Sequence, residues 1–380
     1  MFEILDGTEV KQIINNIDEQ KVNWGMKAIK ADKAWDKYKG RGIKVGLLDT
    51  GIDAEHPDLK PNVVEKVSFI DDTDGEDANF HGTHVAGIFG AADTGKGVIG
   101  TAPAVEIYSA KVFHKDGYMT ATAEREAIDW MIEKGVDVVN MSYGFLIGKK
   151  DSEEIEKAIN NYEKLIQKLV DAGIIVVAAT GNAGNTTDTF DRVSYPARFD
   201  NTIGVGAVSE EIERADFSSA GEAVDFAMPG VDIYSCYPGS RWARFSGTSM
   251  ATPYLVGCIA LLQEWAIEKN GKKFTLEEVK KYLLEYAKDL GVEGFDVEHG
   301  HGMVNIGKIG TRIVDKTIIE IDQPMTIINN RTVAPLRFIV EIAGGRILSW
   351  DNDTKTVVFE TADGAHVTMQ VDNNEVEVKS

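Results

Sequence analysis

The chain has 380 residues, 43% of them hydrophobic and 27% charged, the composition of globular material long enough for one large domain and one small one. Its 61 acidic against 40 basic residues leave a net charge of −21, which repels nucleic-acid phosphates and anionic bilayers and sets both aside as partners. The two cysteines, Cys236 and Cys258, fit neither a disulfide framework nor a metal cluster by their spacing and read as buried free thiols.

The start, Met1-Phe2-Glu3-Ile4-Leu5-Asp6, has no basic region and no apolar stretch of signal-peptide length, and no later run reads as able to span a bilayer. This predicts a cytoplasmic protein, or a secreted one if a leader has been removed. Val10, Ile13, Ile14 and Ile17 stand at helical spacing, so residues 1–22 are expected to be a short helical arm lying on the main domain. From residue 43, β-branched runs at 43–48, 107–112, 136–141, 174–179 and 203–208 alternate with longer amphipathic stretches. Alternation of this kind predicts an α/β fold in three layers, a mostly parallel central sheet with helices on both faces. The run 85–89 is read as helix because it continues from His81-Gly82-Thr83-His84 without a turn signal. Between 152 and 170, Ile155, Ile159, Tyr162, Ile166 and Leu169 recur at helical spacing among Glu and Lys, a surface helix with one face inward. A further apolar helix follows Gly247 and runs to about Trp265. Beyond residue 310 the pattern changes to strands at 318–321, 356–359 and 366–371 and a helix at 333–343 closed by Gly344-Gly345. The expected organisation is an extension over 1–22, a main domain over 23–310 and a small α+β domain over 311–380.

Three positions carry candidate chemistry. Asp49 ends the strand 43–48, at the carboxyl edge where open α/β sheets place their ligands, although a turn or capping role fits a lone aspartate equally well. His81 and His84 open a helix, and Gly82 between them permits close approach of another backbone or a substrate. No Glu or Asp completes a metal-binding helix motif there, and a core histidine remains an alternative for each. Ser249 stands at a helix N-terminus, where the dipole and unpaired N–H groups favour developing negative charge, a place for a nucleophile and also for a cap.

Around these residues stand Leu48-Asp49-Thr50-Gly51-Ile52-Asp53, His81-Gly82-Thr83-His84-Val85-Ala86-Gly87 and Gly247-Thr248-Ser249-Met250-Ala251-Thr252-Pro253. In this order they resemble the motifs of the subtilisin family of serine proteases, and the likeness extends over about residues 22–309. The resemblance implies a subtilisin-like sandwich and a serine endopeptidase with protein or peptide substrates. It implies Asp49, His81 and Ser249 as a triad acting through an acyl-enzyme, with His84 a structural neighbour. It places the oxyanion asparagine at Asn182, after Thr180-Gly181, where a plain Gly-Asn turn is the alternative. It implies substrate strand edges at Gly117-Tyr118-Met119 and Ser142-Tyr143-Gly144, with the floor of the primary pocket near Ser194. Phe145 stands where the family commonly has a second glycine and is expected to reshape that pocket, which should take an apolar or aromatic side chain. Calcium is the one cofactor the resemblance implies, with no organic cofactor. Its ligands would include Asp58 in His56-Pro57-Asp58-Leu59 and the loop 92–98, where Thr94 replaces the usual asparagine and an exposed acidic turn is the alternative.

The intracellular branch of the family is the nearest in type, which implies that residues 1–22 act as its short inhibitory extension. The Leu-Ile-Pro-Tyr stretch typical of that extension is absent. The end of the chain, with Ile327-Ile328-Asn329-Asn330-Arg331 and Trp350-Asp351, resembles the small N-terminal repeat of copper amine oxidases. It offers one histidine, His366, and no cysteine, so copper binding is not expected. A lipase-like hydrolase conflicts with Gly-x-Ser-x-Ala and with the order of the triad. A catalytically silent binding protein conflicts with the presence of all four catalytic residues. Homo-oligomerisation is left open.

Overall fold

The structure is a computed structural model that describes residues 2–3, 12–70, 74–147, 152–184 and 192–310. Beyond them it describes the strand segments 326–328, 331–333, 346–351, 356–360, 366–370 and 376–379. Main-chain contacts divide the chain into two compact units, Met1–Ile313 and Val314–Ser380.

The first unit runs β1 (Phe2–Glu3), β2 (Gln12–Ile14), α1 (Trp24–Ala28), α2 (Ala31–Ala34), β3 (Lys44–Asp49), β4 (Val63–Ser68), α3 (His81–Gly90), β5 (Glu106–Lys111) and β6 (Tyr118–Met119). It continues with α4 (Ala121–Lys134), β7 (Val138–Met141), α5 (Glu153–Asp171), β8 (Ile175–Ala179), β9 (Ile203–Val208), β10 (Phe226–Pro229), β11 (Ile233–Tyr237) and β12 (Arg241–Phe245). The helices α6 (Thr248–Asn270) and α7 (Leu276–Tyr286) and the antiparallel pair β13 (Ala287–Lys288) and β14 (Met303–Val304) complete it.

Seven strands form one sheet in the order β10-β9-β8-β7-β3-β5-β4, and every pairing in it is parallel. Strands of such a sheet are covered on both faces, which is why they read as near-continuous apolar runs. Successive residues serve opposite cores: Val45 and Leu47 of β3 join Val85, Ile88, Leu255 and Ile259 of α3 and α6, while Leu48 joins Ile128, Met131, Ile159 and Ile166 of α4 and α5. The α/β sandwich expected from the sequence is therefore present, with its sheet wholly parallel. The strand order reverses at β3, whose neighbours are β5 on one side and β7 on the other. That switch point opens a crevice at the carboxyl ends of the strands, and Asp49 is the last residue of β3.

Two expectations are corrected. The arm does not form the expected helix at Ile13 and Ile14: β2 pairs antiparallel with β12, Ile14 opposite Trp242 and Ile13 opposite Ala243. Adjacent β-branched residues suit a strand, and the open edge of the β11–β12 hairpin offers unpaired main-chain groups; Val10 lies outside the described residues. Helix α6, at 23 residues, is long and apolar enough to cross a bilayer, which no run was expected to be, and its apolar stretch is buried against the sheet.

The second unit contains the antiparallel pair β15 (Thr326–Ile328) and β16 (Arg331–Val333). It also contains a four-stranded antiparallel sheet of β17 (Arg346–Asp351), β18 (Thr356–Glu360), β19 (His366–Gln370) and β20 (Val376–Lys379). Strands β18 and β19 match two expected runs. The run at 318–321 lies outside the described residues, as does the expected helix at 333–343 except for Val333, which ends β16.

Candidate active site

The His81 imidazole and the Asp49 carboxylate meet at the switch point, Nδ1 lying 2.8 Å from Oδ1, with both side chains buried. A carboxylate only accepts, so Nδ1 carries the proton and Nε2 is the basic nitrogen. Asp49 Oδ1 also accepts from the Thr50 N–H at 2.7 Å, which fixes the carboxylate. His81 is the first residue of α3, and Gly82 is required there because a Cβ would collide with the Gly51 carbonyl. What approaches this glycine is therefore backbone.

Ser249, in the first turn of α6, is fully buried and donates from Oγ to the Ser142 carbonyl at 2.9 Å. The Ser142 hydroxyl returns a bond of 2.9 Å to the Ser249 carbonyl. That carbonyl needs an outside donor because its helical partner four residues on is Pro253, which has no N–H. Ser142 directly follows β7, the neighbour of β3, so the Asp49–His81 pair and the Ser142–Ser249 pair stand on adjacent strand ends. Asn182 follows β8, the next strand across. Its Oδ1 accepts from the Thr248 N–H at 3.0 Å and from the Thr248 hydroxyl at 2.9 Å. With the oxygen so engaged, the amide presents its NH2 donor beside the start of α6, near Gly247.

Both expected substrate edges are described, one at β6 and one directly after β7. Gly117 takes a φ of +79°, turning the chain into β6, where Met119 is buried. Strand β1 pairs antiparallel with this edge, Phe2 opposite Met119 and Glu3 opposite Tyr118. On the other side, Ser142 is bonded to Ser249, Tyr143 donates its hydroxyl to Glu124, and a Cβ on Gly144 would lie 2.7 Å from the Tyr195 carbonyl. Phe145 exchanges two main-chain bonds of 3.0 Å with Tyr195. Its ring packs against Tyr195 and Tyr162 and lines a cavity of about 500 Å³ between α4 and α5. Ser194 is fully buried against Gly181 and Gly144, and its Oγ has no partner among the described residues.

His84 donates from Nε2 to the Ala243 carbonyl, 3.1 Å away, and burial drives its pKa down to about 3. It is a neutral core histidine. Two residues with roles at the site escaped the sequence reading. Asp77 accepts from the Thr50 hydroxyl, the Thr83 hydroxyl and the N–H groups of Asn79, Phe80 and Thr83. It thereby ties the strand end carrying Asp49 to the helix start carrying His81 and holds Phe80 at a φ of +108°, a conformation unfavourable for a bulky residue. The aspartate four residues before His81 was its only signal. Glu124 escaped because nothing in a helix pattern distinguishes a buried glutamate from a surface one.

At the proposed cation site, buried Asp58 accepts through Oδ2 from the Val98 N–H and the Trp242 indole, both at 2.8 Å. Its Oδ1 has a contact of 3.5 Å with the Thr94 hydroxyl. Burial raises the Asp58 pKa, against the lowering effect of the Val98 and Trp242 bonds. Gln20, not identified from sequence, turns its amide oxygen to the Thr94 N–H at 3.2 Å, beside the Ala92 carbonyl. These hard oxygen donors fit calcium. The nearby group of His56, Asp58 and Cys236 does not suit a softer metal, since both His56 nitrogens are engaged, with the Asp58 N–H and the Arg241 carbonyl, and burial pushes the Cys236 thiol well up.

Comparison with known proteins agrees with this architecture. The profile of the Subtilase family matches residues 40–302, and that of the copper amine oxidase N-terminal domain matches residues 312–380. The chain is 37% identical over 281 residues to an intracellular serine protease of Paenibacillus polymyxa, covering 72% of this chain and 83% of that protein. It is 39% identical over 289 residues to subtilisin DY of Bacillus licheniformis, covering 76% and 98%. It is 36% identical over 295 residues to the major intracellular serine protease of Bacillus subtilis, covering 73% and 88%. Fold and relatives together define a hydrolase of the serine protease class, acting on proteins or peptides. More narrowly, the chain belongs to the subtilase family and is a subtilisin-like serine endopeptidase.

Proposed function

We propose that Ser249 is the nucleophile, His81 the general base and acid, and Asp49 the group that orients the imidazole. The observation that carries this reading is the buried 2.8 Å contact between Asp49 and His81 Nδ1, which leaves Nε2 as the base. In attack, the Ser249 hydroxyl leaves the Ser142 carbonyl, gives its proton to Nε2 and bonds to the scissile carbon. The resulting oxyanion is met by the Ser249 N–H and the Asn182 NH2, donors already oriented before the charge develops. Collapse expels the amine with the proton from His81 and leaves an acyl-enzyme. Water, deprotonated by the same nitrogen, then releases the acid and restores Ser249.

The substrate main chain would lie as an extra strand between Gly117–Met119 and Ser142–Gly144, with its primary side chain directed to Ser194. Pairing of β1 with β6 supports a second element of this reading: the extension occupies the edge that a substrate needs and must be displaced. Calcium at Asp58, Thr94, the Gln20 amide and the loop carbonyls would offset the buried charge and fix the loop 92–98. Cleavage of unfolded casein by the protein but not by Ser249→Ala supports the nucleophile; equal cleavage by both rules it out.

A further inference from the structure

Glu124 is a fully buried carboxylate that the reaction scheme does not use. Its Oε1 accepts from the Tyr143 hydroxyl at 2.9 Å and from the Tyr162 hydroxyl at 2.7 Å, while Oε2 is buried without a partner among the described residues. Burying an acid in this way is costly where an apolar side chain would pack, so its neighbours matter. Helix α4 leaves the β6 edge through its cap Thr120, whose carbonyl accepts from the Glu124 N–H at 3.2 Å. Tyr143 lies in the opposite edge, between Ser142, which is bonded to Ser249, and Gly144. Tyr162 belongs to α5. One carboxylate on α4 therefore joins the edge at 142–144 to helix α5.

We propose that Glu124 is a positioning residue for peptide hydrolysis: through Tyr143 it sets the main-chain edge at 142–144 on which a substrate lies. This rests on the reading of that segment as a substrate edge. The triad has its own supports, in the Asp49–His81 contact and the Thr248–Asn182 bonds, so the effect belongs to substrate affinity and not to the chemical step. Burial lifts the Glu124 pKa to about 7. Above that pH the ionised oxygen is the stronger acceptor for both hydroxyls and the edge is held more tightly. Tyr143 and Tyr162, both pushed well above their ordinary pKa by burial, remain donors throughout. The other charged groups around the clamp, among the described residues, are Arg125 on α4, Lys164 and Lys168 on α5, the last paired with Asp129 at 2.8 Å, and Asp49 on β3, whose charge acts on the Tyr143 hydroxyl.

The test is steady-state hydrolysis of a peptide p-nitroanilide by the full chain and by Glu124→Gln, Tyr143→Phe and the double variant, at pH 6 and pH 8.5. A hydrogen bond to a charged acceptor is worth about tenfold or more. Tyr143→Phe should therefore raise KM about tenfold at pH 8.5 with kcat unchanged, Glu124→Gln, which keeps a neutral acceptor oxygen, should raise it by less, and the double variant should go no further than Tyr143→Phe. KM of the unaltered protein should fall from pH 6 to pH 8.5, and that of Glu124→Gln should stay flat. Should Glu124→Gln fail to fold, Tyr143→Phe, which loses one hydroxyl and keeps the ring, carries the same KM criterion alone. Unchanged KM, a loss confined to kcat, or effects that multiply in the double variant would overturn the proposal. Activity that still disappears in Ser249→Ala would then leave the nucleophile assignment standing.

Discussion

Replacing Glu124 by glutamine keeps the size of the side chain and an oxygen for the two tyrosine hydroxyls, but removes the charge from a fully buried position. Its effect on stability follows from linkage. The carboxyl pKa rises from an ordinary 4.5 to about 7 in the folded protein, because burial disfavours the anion more than the hydroxyl bonds favour it. Between those two values the folded state holds a proton that the unfolded state has lost, so stability is full below pH 4.5 and declines as pH rises through 7. At about 1.4 kcal/mol for each pH unit, the decline comes to about 3 kcal/mol, complete just above neutrality. Glutamine does not titrate. The variant should therefore gain about 3 kcal/mol on the parent between pH 4.5 and 8 and hold that difference at higher pH. Urea unfolding of the first unit, followed by tryptophan fluorescence in a Ser249→Ala background to prevent self-cleavage, measures it. A difference that is constant with pH, or one that grows as pH falls, would refute the reasoning.

Asn182→Ala should lower kcat with little change in KM; in subtilisins, the established example, such a donor is worth about 10²–10³ in kcat, a magnitude taken over from them. Thr248→Val, which removes one of the two bonds holding the Asn182 oxygen, should lower kcat by less, on the order of tenfold, and a loss as large as that of Asn182→Ala contradicts the orienting role. Calcium at 100 times its dissociation constant should stabilise the protein by about 2.7 kcal/mol, read as a rise in Tm. That rise should be absent from Asp58→Asn, and its persistence there would move the cation elsewhere. Removal of residues 1–11 should lower KM for a peptide substrate by freeing the β6 edge, and an unchanged KM argues against occupation by β1.

Much of the first unit is legible along the chain because its strands are buried on both faces. The runs ending at Asp49, Met141 and Ala179 are mostly apolar and alternate with amphipathic helices, so sheet, layers and the strand ends bearing Asp49, Ser142 and Asn182 follow from pattern. Local chemistry does not separate a catalytic serine from a helix cap, and for Ser249 it was the joint motif that did so. The arm was misread because Ile13 and Ile14 satisfy a helical spacing and a strand equally, and the deciding partner, β12, lies more than 200 residues away. Glu124 and Asp77 were invisible for the same reason. Their meaning lies in Tyr143, Tyr162, Thr50 and Thr83, brought to them only by the fold.

In the proposed reaction Ser249 attacks the scissile carbonyl. Labelling the intact protein with a fluorophosphonate, digesting it and weighing the peptides tests this most directly, alongside casein hydrolysis by the protein and by Ser249→Ala. A single adduct on Ser249 is expected, with loss of casein hydrolysis in step with labelling and neither label nor hydrolysis in the variant. An adduct on another serine, or hydrolysis that survives in Ser249→Ala, would contradict it.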